Sequence, residues 1–395
     1  MFVYADNAAT TCVSRTALDA MMPYLTGQYG NPSSLYSFGQ AAREAVEDAR
    51  KTVASCIGAQ PREIYFTSGG SEADNQAILS AAKAGARKNK RHLISTAFEH
   101  HAVLHTLKKL EKEGFEVTLL PVHEDGVVRL QDLEAAVRED TALVTVMFAN
   151  NEIGTIQPVE EIGAFCRERS IPFHTDAVQA AGHMPIDVNK MNIDMLSLSG
   201  HKFHAPKGTG VLYTRRSIPI YNLIEGGGQE RGKRAGTENV AGIVALAAAL
   251  KESCDNMETN TAKILPMRDK LLDQLAGIPH SVINGCPEKR VPGTVNICFE
   301  GLEGDGLLIL LDQNGICASS GSACNAGSID PSHVLLALGL PYELAHGSLR
   351  LSIGEYNTME EIDHILSVVP RVVETLRSKS PLWQAMESGR RPHLI

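Results

Sequence analysis

The chain has 395 residues, of which 43% are hydrophobic and 21% charged, so it is long enough for a large core and for more than one domain. Its formal net charge of −9 argues against a general grip on nucleic acid, which needs a clustered basic face. No apolar stretch is long enough to cross a bilayer and the amino terminus lacks a secretory signal pattern, so we expect a cytoplasmic protein that binds no membrane.

Short β-rich runs alternate with amphipathic helical patterns from about residue 63 onward. Strands are predicted at "EIYFT", "HLIST", "EVTLLPV", "LVTVMFA", "IPFHTDA", "MLSLS" and "GVLYT", with helices between most of them. This alternation predicts an α/β fold with one large, doubly wound, mainly parallel sheet. Its ligand should lie beyond the carboxyl ends of the strands.

Helical patterns flank this alternation at 37–59 and 240–251. A helix through "ILPMRDKLLDQLAG", the strands "SVING" and "TVNICFE" and a helix at 359–378 then predict a smaller α/β domain. We therefore expect a large domain over 15–255 and a small domain formed by 1–14 and 256–395. The tail "SPLWQAMESGRRPHLI" is predicted to be irregular, and the place where it docks is left open.

The stretch "FTSGGSEADN", residues 66–75, runs from a strand through two glycines and a serine into a helix. Backbone N–H groups at this helix start, together with the Ser71 hydroxyl, could surround a phosphate. A capping box between Ser71 and Asp74 would explain the same residues without a ligand.

Asp176 ends the predominantly apolar strand in "IPFHTDAVQAAG", where an unpaired carboxylate would carry a large desolvation cost. It therefore needs a cation, which either a protonated pyridine nitrogen or an arginine could supply. Gln179, one helical turn further on, could donate to a ring oxygen.

Lys202 follows the next predicted strand, in "SGHKFHAPKG", so its amine could reach the same crevice as Asp176 and Ser71. A phosphate cradle, a buried acid and a lysine together describe pyridoxal phosphate, whose aldehyde forms a Schiff base with a lysine amine. An aromatic ring should cover the cofactor, and "AFEHHAV" offers His100 at another strand end. A helix-start histidine without a ligand would give the same pattern.

Ten motifs along nearly the whole chain occur in the order of a known family: "YADNAATT", "GNPSS", "FTSGGSEADN", "EHHAV", "NNEIG", "HTDAVQAAG", "SGHKFHAPKG", "GGGQERGKRAGTENV", "SSGSAC" and "RLSIG". The chain thereby resembles the cysteine desulfurases of the NifS/IscS type, within the class V aminotransferase-like pyridoxal phosphate enzymes of fold type I. Each motif alone is weak, but ten in sequence are very specific.

The resemblance implies a role for each matching residue. Lys202 would be the Schiff-base residue, His100 the ring stacked on the cofactor, and Asp176 the partner of the pyridine nitrogen. Arg350 would clamp the substrate carboxylate with its guanidinium fork, with help from Asn151. The remaining cofactor contacts would come from Gln179, Asn151, Gly70, Ser71, Ser199, His201 and, on the phosphate of the neighbouring subunit, Thr237.

The stretch "ICASSGSACNAGSIDPSH" places Cys324 among Ser, Gly and Ala residues, between a strand and a helix predicted near Pro331. A nucleophile that must reach the substrate sulfur and then present a persulfide to another protein needs a short, flexible tether. Cys317 would belong to the strand. The eight cysteines contain no Cys-x-x-Cys pair, so no metal site is certain, and a transient role of Cys324 as an iron–sulfur ligand is left open.

The resemblance implies a homodimeric cysteine desulfurase that converts L-cysteine to L-alanine and donates sulfur to an iron–sulfur scaffold or another acceptor protein. The alternatives are a selenocysteine lyase or class V aminotransferase of the same fold and, from another class, a catalytically silent docking protein. Position 71 is Ser where Thr is usual in the family. Glu355 stands where a basic residue is commoner, which leaves acceptor docking near that turn open.

Overall fold

The alternation of strands and helices is present in the computed structural model, which describes residues 1–320 and 330–395. The strands are β1 (Val3–Tyr4), β2 (Ile64–Thr67), β3 (His92–Thr96), β4 (Glu116–Leu120), β5 (Thr141–Thr145), β6 (Phe173–Asp176), β7 (Met195–Ser199), β8 (Gly210–Thr214), β9 (Ser281–Ile283), β10 (Thr294–Phe299), β11 (Ile316–Cys317) and β12 (Ser348–Ser352). The helices are α1 (Arg15–Thr26), α2 (Ser37–Cys56), α3 (Gly70–Ala86), α4 (His101–Lys112), α5 (Leu130–Ala136), α6 (Val159–Glu168), α7 (Gln229–Gly232), α8 (Val240–Asp255), α9 (Met257–Ala276), α10 (Gly304–Gln313), α11 (His333–Ala337), α12 (Tyr342–Ala345), α13 (Met359–Lys379) and α14 (Pro381–Glu387).

The large sheet has the order β2-β8-β7-β6-β5-β3-β4 within the described part of the chain. Strands β3 to β7 pair in parallel, whereas β8 runs antiparallel to both β7 and β2. Every residue of β5, β6 and β7 is buried, as expected for central strands covered on both faces. The predicted mainly parallel, doubly wound sheet is confirmed, and β6 and β7 end at the same edge.

Helix α3 packs directly on this sheet because its inner face is built from small residues, among them Ala73, Ala77 and Ala81. At Gly85 the helix lies so close to the sheet that a Cβ would be 2.4 Å from the Cβ of Ala142 in β5. Small side chains at the contact let the start of α3 reach the strand ends. None of the described helices combines the length and apolarity needed to cross a bilayer.

A second hydrophobic core joins the start of the chain to its last third. Val3 and Ala5 pack with apolar residues between Ile264 and Val373, around the antiparallel sheet β12-β10-β9. Strand β1 also pairs in parallel with β11. This second core is the smaller α/β unit, while the boundary at residue 255 stays a prediction.

The carboxyl-terminal tail is not irregular, so that prediction is wrong. Residues Pro381–Glu387 form α14, whose Trp383 ring lies under the Arg377 guanidinium at 4.1 Å. Beyond the helix, His393 Nδ1 lies 2.9 Å from Oε2 of Glu300, and the Leu394 N–H donates to the same carboxylate. Glu300 is fully buried, so the tail docks on the smaller core by satisfying a carboxylate that would otherwise be costly to bury.

Glu355 forms a largely buried ion pair with His204, at 2.9 Å between Oε1 and Nε2. Burial would raise the pKa of Glu355, but the hydrogen bond and charge of His204 outweigh it and lower the pKa to about 2. Burial likewise opposes the charge on His204, yet Glu355 raises its pKa above the ordinary value. Glu355, the residue that departs from the family pattern, therefore has its carboxylate held inside the protein.

Replacing Glu355 with glutamine should lower the free energy of unfolding by roughly 1 to 3 kcal/mol, since a charged hydrogen bond is lost. Folding raises the pKa of His204. Its contribution to folding stability is therefore complete below pH 6.5 and is lost as the pH rises through the pKa of the folded protein. Folding lowers the pKa of Glu355, so its contribution is complete above pH 4.5 and is lost as the pH falls toward about 2.

Denaturant unfolding at several pH values checks this expectation, with the exposed helix residue Glu374→Gln as control. The difference between wild type and Glu355→Gln should be largest between pH 4.5 and 6.5. Equal stabilities in that window would show that the pair stabilises nothing.

Candidate active site

A cavity of about 330 Å³ lies at the edge where β6 and β7 end. It brings together most of the residues that the sequence analysis named: Gly70, Ser71, His100, Asn151, Asp176, Gln179, Ser199, His201, Lys202 and Arg350. Asp74, Met147, Ala8 and Ala9 also line it. The two alanines belong to "YADNAATT", so the motif was recognised but its place in the wall was not.

One described site residue, Thr237, does not line this cavity. Thr237 is exposed and lies at a separate depression together with Ser68 and Arg234. Its contact with a phosphate in a neighbouring subunit stays a prediction. Cys324 lies outside the described residues, as does the whole of 321–329.

Lys202 is held at the cavity wall by the backbone of the amino-terminal segment. It ends a short 3₁₀ turn, Gly200–Lys202, that follows β7 directly. Its Nζ donates to the carbonyls of Ala8 at 2.6 Å and Ala9 at 2.9 Å. The amine therefore has a defined position beside the strand ends, as a residue that forms a covalent link requires.

Asp176 ends β6 and is 6% exposed. Burial raises its pKa to about 6, although the backbone N–H of Val178, 2.9 Å from Oδ1, and the charge of Lys202 both favour the ionised form. The cation that acts on it is Lys202 and not an arginine. The arginine alternative is therefore wrong, and the carboxylate is available to a protonated ring nitrogen in the cavity.

His100 is both the residue before α4 and part of the cavity wall. Its Nδ1 accepts the backbone N–H of Ala102 at 3.1 Å, which caps the helix. Burial, aided by the charge of Lys202, lowers its pKa to about 4, so the ring is neutral at neutral pH. Because Nδ1 is an acceptor, the single ring proton lies on Nε2.

Helix α3 begins at Gly70 and its N-cap is Gly69, which offers no capping side chain. The capping box between Ser71 and Asp74 is therefore wrong. The first-turn N–H groups and the helix dipole can therefore act on an anion at the cavity edge. Gly70 is needed there, because a Cβ would lie 2.7 Å from the Val178 side chain.

Ser199 lies beside Gly70 at the start of α3, and His201 lines the same cavity. The Nδ1 of His201 lies 3.1 Å from the Thr10 hydroxyl. Burial, followed by the charges of Lys202 and Lys207, lowers the pKa of His201 to about 4, so its ring is neutral. A neutral imidazole and a hydroxyl can each donate a hydrogen bond to a phosphate.

Arg350, in β12, is a buried residue with 3% exposure. Its Nη2 donates to Asp6 at 2.8 Å and its Nη1 to the carbonyl of Asn151 at 3.0 Å. Its Nε has no hydrogen-bond partner among the described residues. Sequence reasoning missed Asp6, which fixes the guanidinium although it lies 344 positions away.

Replacing Arg350 with lysine should weaken substrate binding by roughly 1 to 3 kcal/mol, which raises KM about 5- to 150-fold. A single ammonium cannot serve Asp6 and a substrate carboxylate as a planar fork does. Steady-state kinetics with Arg377→Lys, a buried arginine at the tail, is the matched control. An unchanged KM would remove Arg350 from the carboxylate site.

The cavity fits pyridoxal phosphate, the cofactor that the resemblance implies. A buried carboxylate, Asp176, is available to a ring nitrogen, and the Lys202 amine lies in the same wall. The start of α3 can take a phosphate. The Val178 side chain leaves no room there for any residue larger than Gly70. The unsatisfied Nε of Arg350 is a donor for an acid group of the substrate.

Comparisons with known proteins extend over nearly the whole chain. The family model for Aminotransferase class-V matches residues 3–365. A protein named cysteine desulfurase IscS, from Methanosarcina thermophila, is 53% identical over 380 residues, which cover 96% of this chain and 94% of that protein. A cysteine desulfurase from Nostoc sp. is 50% identical over 380 residues, with the same coverage of 96% and 94%.

Solved structures agree with these sequence matches. A structure described as a NifS-like protein has a TM-score of 0.89 and 40% identity, and the match covers 95% of this chain and 100% of that one. A structure described as SspA in complex with cysteine has a TM-score of 0.79 and 38% identity, with coverage of 90% and 100%.

Proposed function

The chain belongs to the class-V aminotransferase family, and on this premise we propose that it is a cysteine desulfurase, which converts L-cysteine to L-alanine and leaves a persulfide on Cys324. The observation that carries the proposal is the convergence of Lys202, Asp176 and Arg350 on one cavity. An amine, a buried acid and a carboxylate-binding guanidinium are the groups that amino-acid chemistry on pyridoxal phosphate needs.

The enzyme depends on pyridoxal phosphate. Lys202 would hold the aldehyde carbon, Asp176 the ring nitrogen and His100 one face of the ring. Gln179 and Asn151 would hold the ring-oxygen side, while Gly70, Ser71, Ser199 and His201 would hold the phosphate. When bound, the cofactor supplies a sink for the electron pair freed at the substrate Cα.

The side chains around the cavity divide the remaining work. Arg350 and Asn151 orient the carboxylate of L-cysteine, so that the Cα proton faces Lys202. The Lys202 amine takes that proton and returns it. His100, neutral and with its proton on Nε2, can donate to the substrate carbon that loses its sulfur.

Cys324 supplies the sulfur acceptor of the reaction. Its thiolate attacks the substrate sulfur, a sulfur–sulfur bond forms, and the carbon–sulfur bond breaks with its electron pair going to carbon, which takes up a proton. The described residues on either side support this role. Ser319 pairs with the backbone of Arg350, with N···O distances of 3.1 and 2.6 Å, and His333 Nε2 lies 3.0 Å from the carbonyl of Glu99.

The described residues that flank 321–329 therefore contact residues of the cavity wall or their neighbours in sequence. Arg350 lines it, and Glu99 precedes His100, which also lines it. Ser332 in addition donates to Glu152, the neighbour of Asn151. These contacts of the flanking residues support the proposed role of Cys324.

Product analysis separates this function from its rivals. The enzyme incubated with L-cysteine should gain the mass of one sulfur atom on the peptide that contains Cys324. A class V aminotransferase would instead yield a keto acid and leave that peptide unchanged. A selenocysteine lyase would turn over L-selenocysteine and leave L-cysteine intact, whereas a silent docking protein would make no product from either.

The proposal includes a cytoplasmic homodimer that passes sulfur to an iron–sulfur scaffold or another acceptor protein. The described cysteines are unpaired thiols, which suits a reducing compartment. The name of the Methanosarcina thermophila relative supports sulfur transfer. An exposed Thr237, away from the cavity of its own chain, suits a contact with the neighbouring subunit.

If Thr237 completes the phosphate site of the neighbouring subunit, activity should depend on the dimer. Dilution below the dissociation constant of the dimer should reduce specific activity, and Thr237→Val should weaken cofactor retention with little change in folding. Analytical ultracentrifugation in parallel with activity assays provides the measurement. A fully active, cofactor-loaded monomer would contradict this part of the proposal.

A further inference from the structure

A second buried carboxyl group lies in the wall of the cavity. Asp74, in the second turn of α3, is 1% exposed and lines the cavity together with Asp176. Its Oδ1 has no hydrogen-bond partner among the described residues. None of the roles assigned above uses this side chain, so its protonation state has to be explained.

The groups that contact Asp74 offer it no positive charge. The Nε2 of His174 lies 3.7 Å from Oδ1, but burial lowers the pKa of His174 to about 3, so this ring is neutral. The same ring is held by the hydroxyls of Thr145 at 2.8 Å and Ser197 at 3.0 Å. Ser197 also hydrogen bonds to Asp74.

The charged and titratable neighbours of Asp74 are mainly acids. Burial raises the pKa of Asp74 well above its ordinary value and the charge of Asp176 raises it further, whereas the hydrogen bond from Ser197 opposes them. Burial also raises the pKa of Glu99 to about 8, so Glu99 keeps its proton at neutral pH. Lys202 shares the cavity, but its charge favours the ionised form of Asp176, whose pKa is about 6.

We infer that Asp74 is a protonated carboxylic acid at neutral pH and a second titrating group of the cofactor site. Asp176 is then the single negative charge opposite one protonated ring nitrogen. At alkaline pH Asp74 loses its proton and adds a second negative charge to the same buried wall. This inference rests on the proposed binding of the cofactor by Asp176 and makes Asp74 a positioning residue that sets the charge of the site.

Ionisation of Asp74 should affect the bound cofactor even in the absence of turnover. A second buried negative charge near the ring raises the proton affinity of the ring nitrogen and changes the visible absorption of the cofactor. Asp74→Asn keeps the shape of the side chain but stays neutral at every pH. Asp194→Asn is the matched control, because Asp194 is also buried but precedes the first residue of β7, at the end of the strand away from the cavity. Its carboxylate pairs with Arg215 at 3.0 Å.

The test is an absorbance titration of the holoenzymes from neutral to alkaline pH. Wild type and Asp194→Asn should share an alkaline change in cofactor absorbance that Asp74→Asn lacks. An Asp74→Asn enzyme that titrates like wild type would overturn the inference. Alanine production is measured separately, so loss of desulfurase activity with the alkaline change intact would contradict the proposed function and leave this inference standing.

Infrared spectroscopy keeps the inference falsifiable if the variant does not fold. Wild-type holoenzyme labelled with ¹³C in its aspartate carboxyl groups should show the C=O band of a protonated acid at neutral pH. The label excludes Glu99 from that band. Asp74→Ser, which also removes the acid, should lack the band, and its absence from wild type would by itself overturn the inference.

Discussion

Replacing Lys202 with alanine should abolish turnover, with a fall in the rate of alanine production of roughly 10⁴-fold. The change removes both the group that would hold the cofactor and the base at the substrate Cα. The fold should survive, because Lys202 is only partly buried and lines an open cavity, so its truncation leaves no closed void in a hydrophobic core. The cofactor should then be removable by dialysis.

Lys207→Ala is the matched control, since Lys207 is an exposed residue of the same loop. It should keep both its cofactor and its activity. Borohydride reduction followed by peptide mapping locates the covalent link in wild type. A reducible link and normal alanine production in Lys202→Ala would show that another lysine holds the cofactor.

Replacing Cys324 with alanine should stop sulfur transfer while substrate binding persists. The loss in sulfide and persulfide formation should be on the order of 10³-fold or more, because no other group takes the place of the nucleophile. Addition of L-cysteine should still change the visible spectrum of the bound cofactor, since Arg350 and Lys202 are untouched. Stopped-flow absorbance and a sulfide assay on the same sample separate the two steps.

Cys317→Ala is the control for this prediction, because Cys317 is a half-buried residue of β11. It should release sulfide at nearly the wild-type rate. Sulfide release that survives in Cys324→Ala and disappears in Cys317→Ala would reverse the assignment of the nucleophile.

The main sheet was predictable from local patterns, because its strands are short, predominantly apolar runs and most alternate with amphipathic helices. The observed β6 and β7 fall within "IPFHTDA" and "MLSLS". The strand predicted at Cys317 is confirmed as β11, whereas its partner β1 escaped prediction, since it has two residues and exists through that pairing. Helix α14 escaped for a similar reason, as its segment docks on a buried carboxylate that is distant in sequence.

The candidate site was predictable where a single motif carries the chemistry, as for Lys202 and Asp176. It was not predictable where two distant parts of the chain meet. Asp6 orients Arg350 across the full length of the chain, and local patterns contain no sign of that contact. Asp74 was considered only as a helix cap, because burial beside another acid depends on how α3 packs on the sheet.

The ion pair of Glu355 and His204 is another contact between distant parts of the chain that local sequence patterns do not show. In the sequence, Glu355 in place of a basic residue left acceptor docking near that turn open. The structure instead places that carboxylate against a buried imidazole from the loop after Lys202. The effect of a residue that departs from a family pattern can therefore be related to docking only when its position in the fold is known.

The most direct test of the central claim is the balance of products from L-cysteine. Purified holoenzyme should form L-alanine in a 1:1 ratio with the sum of sulfide released and persulfide bound to protein, as the removal of one sulfur atom per turnover requires. Omission of a reductant should leave the first sulfur on the enzyme. A keto acid in place of alanine, or alanine without an equal amount of sulfur, would contradict the assignment of this cavity to cysteine desulfuration.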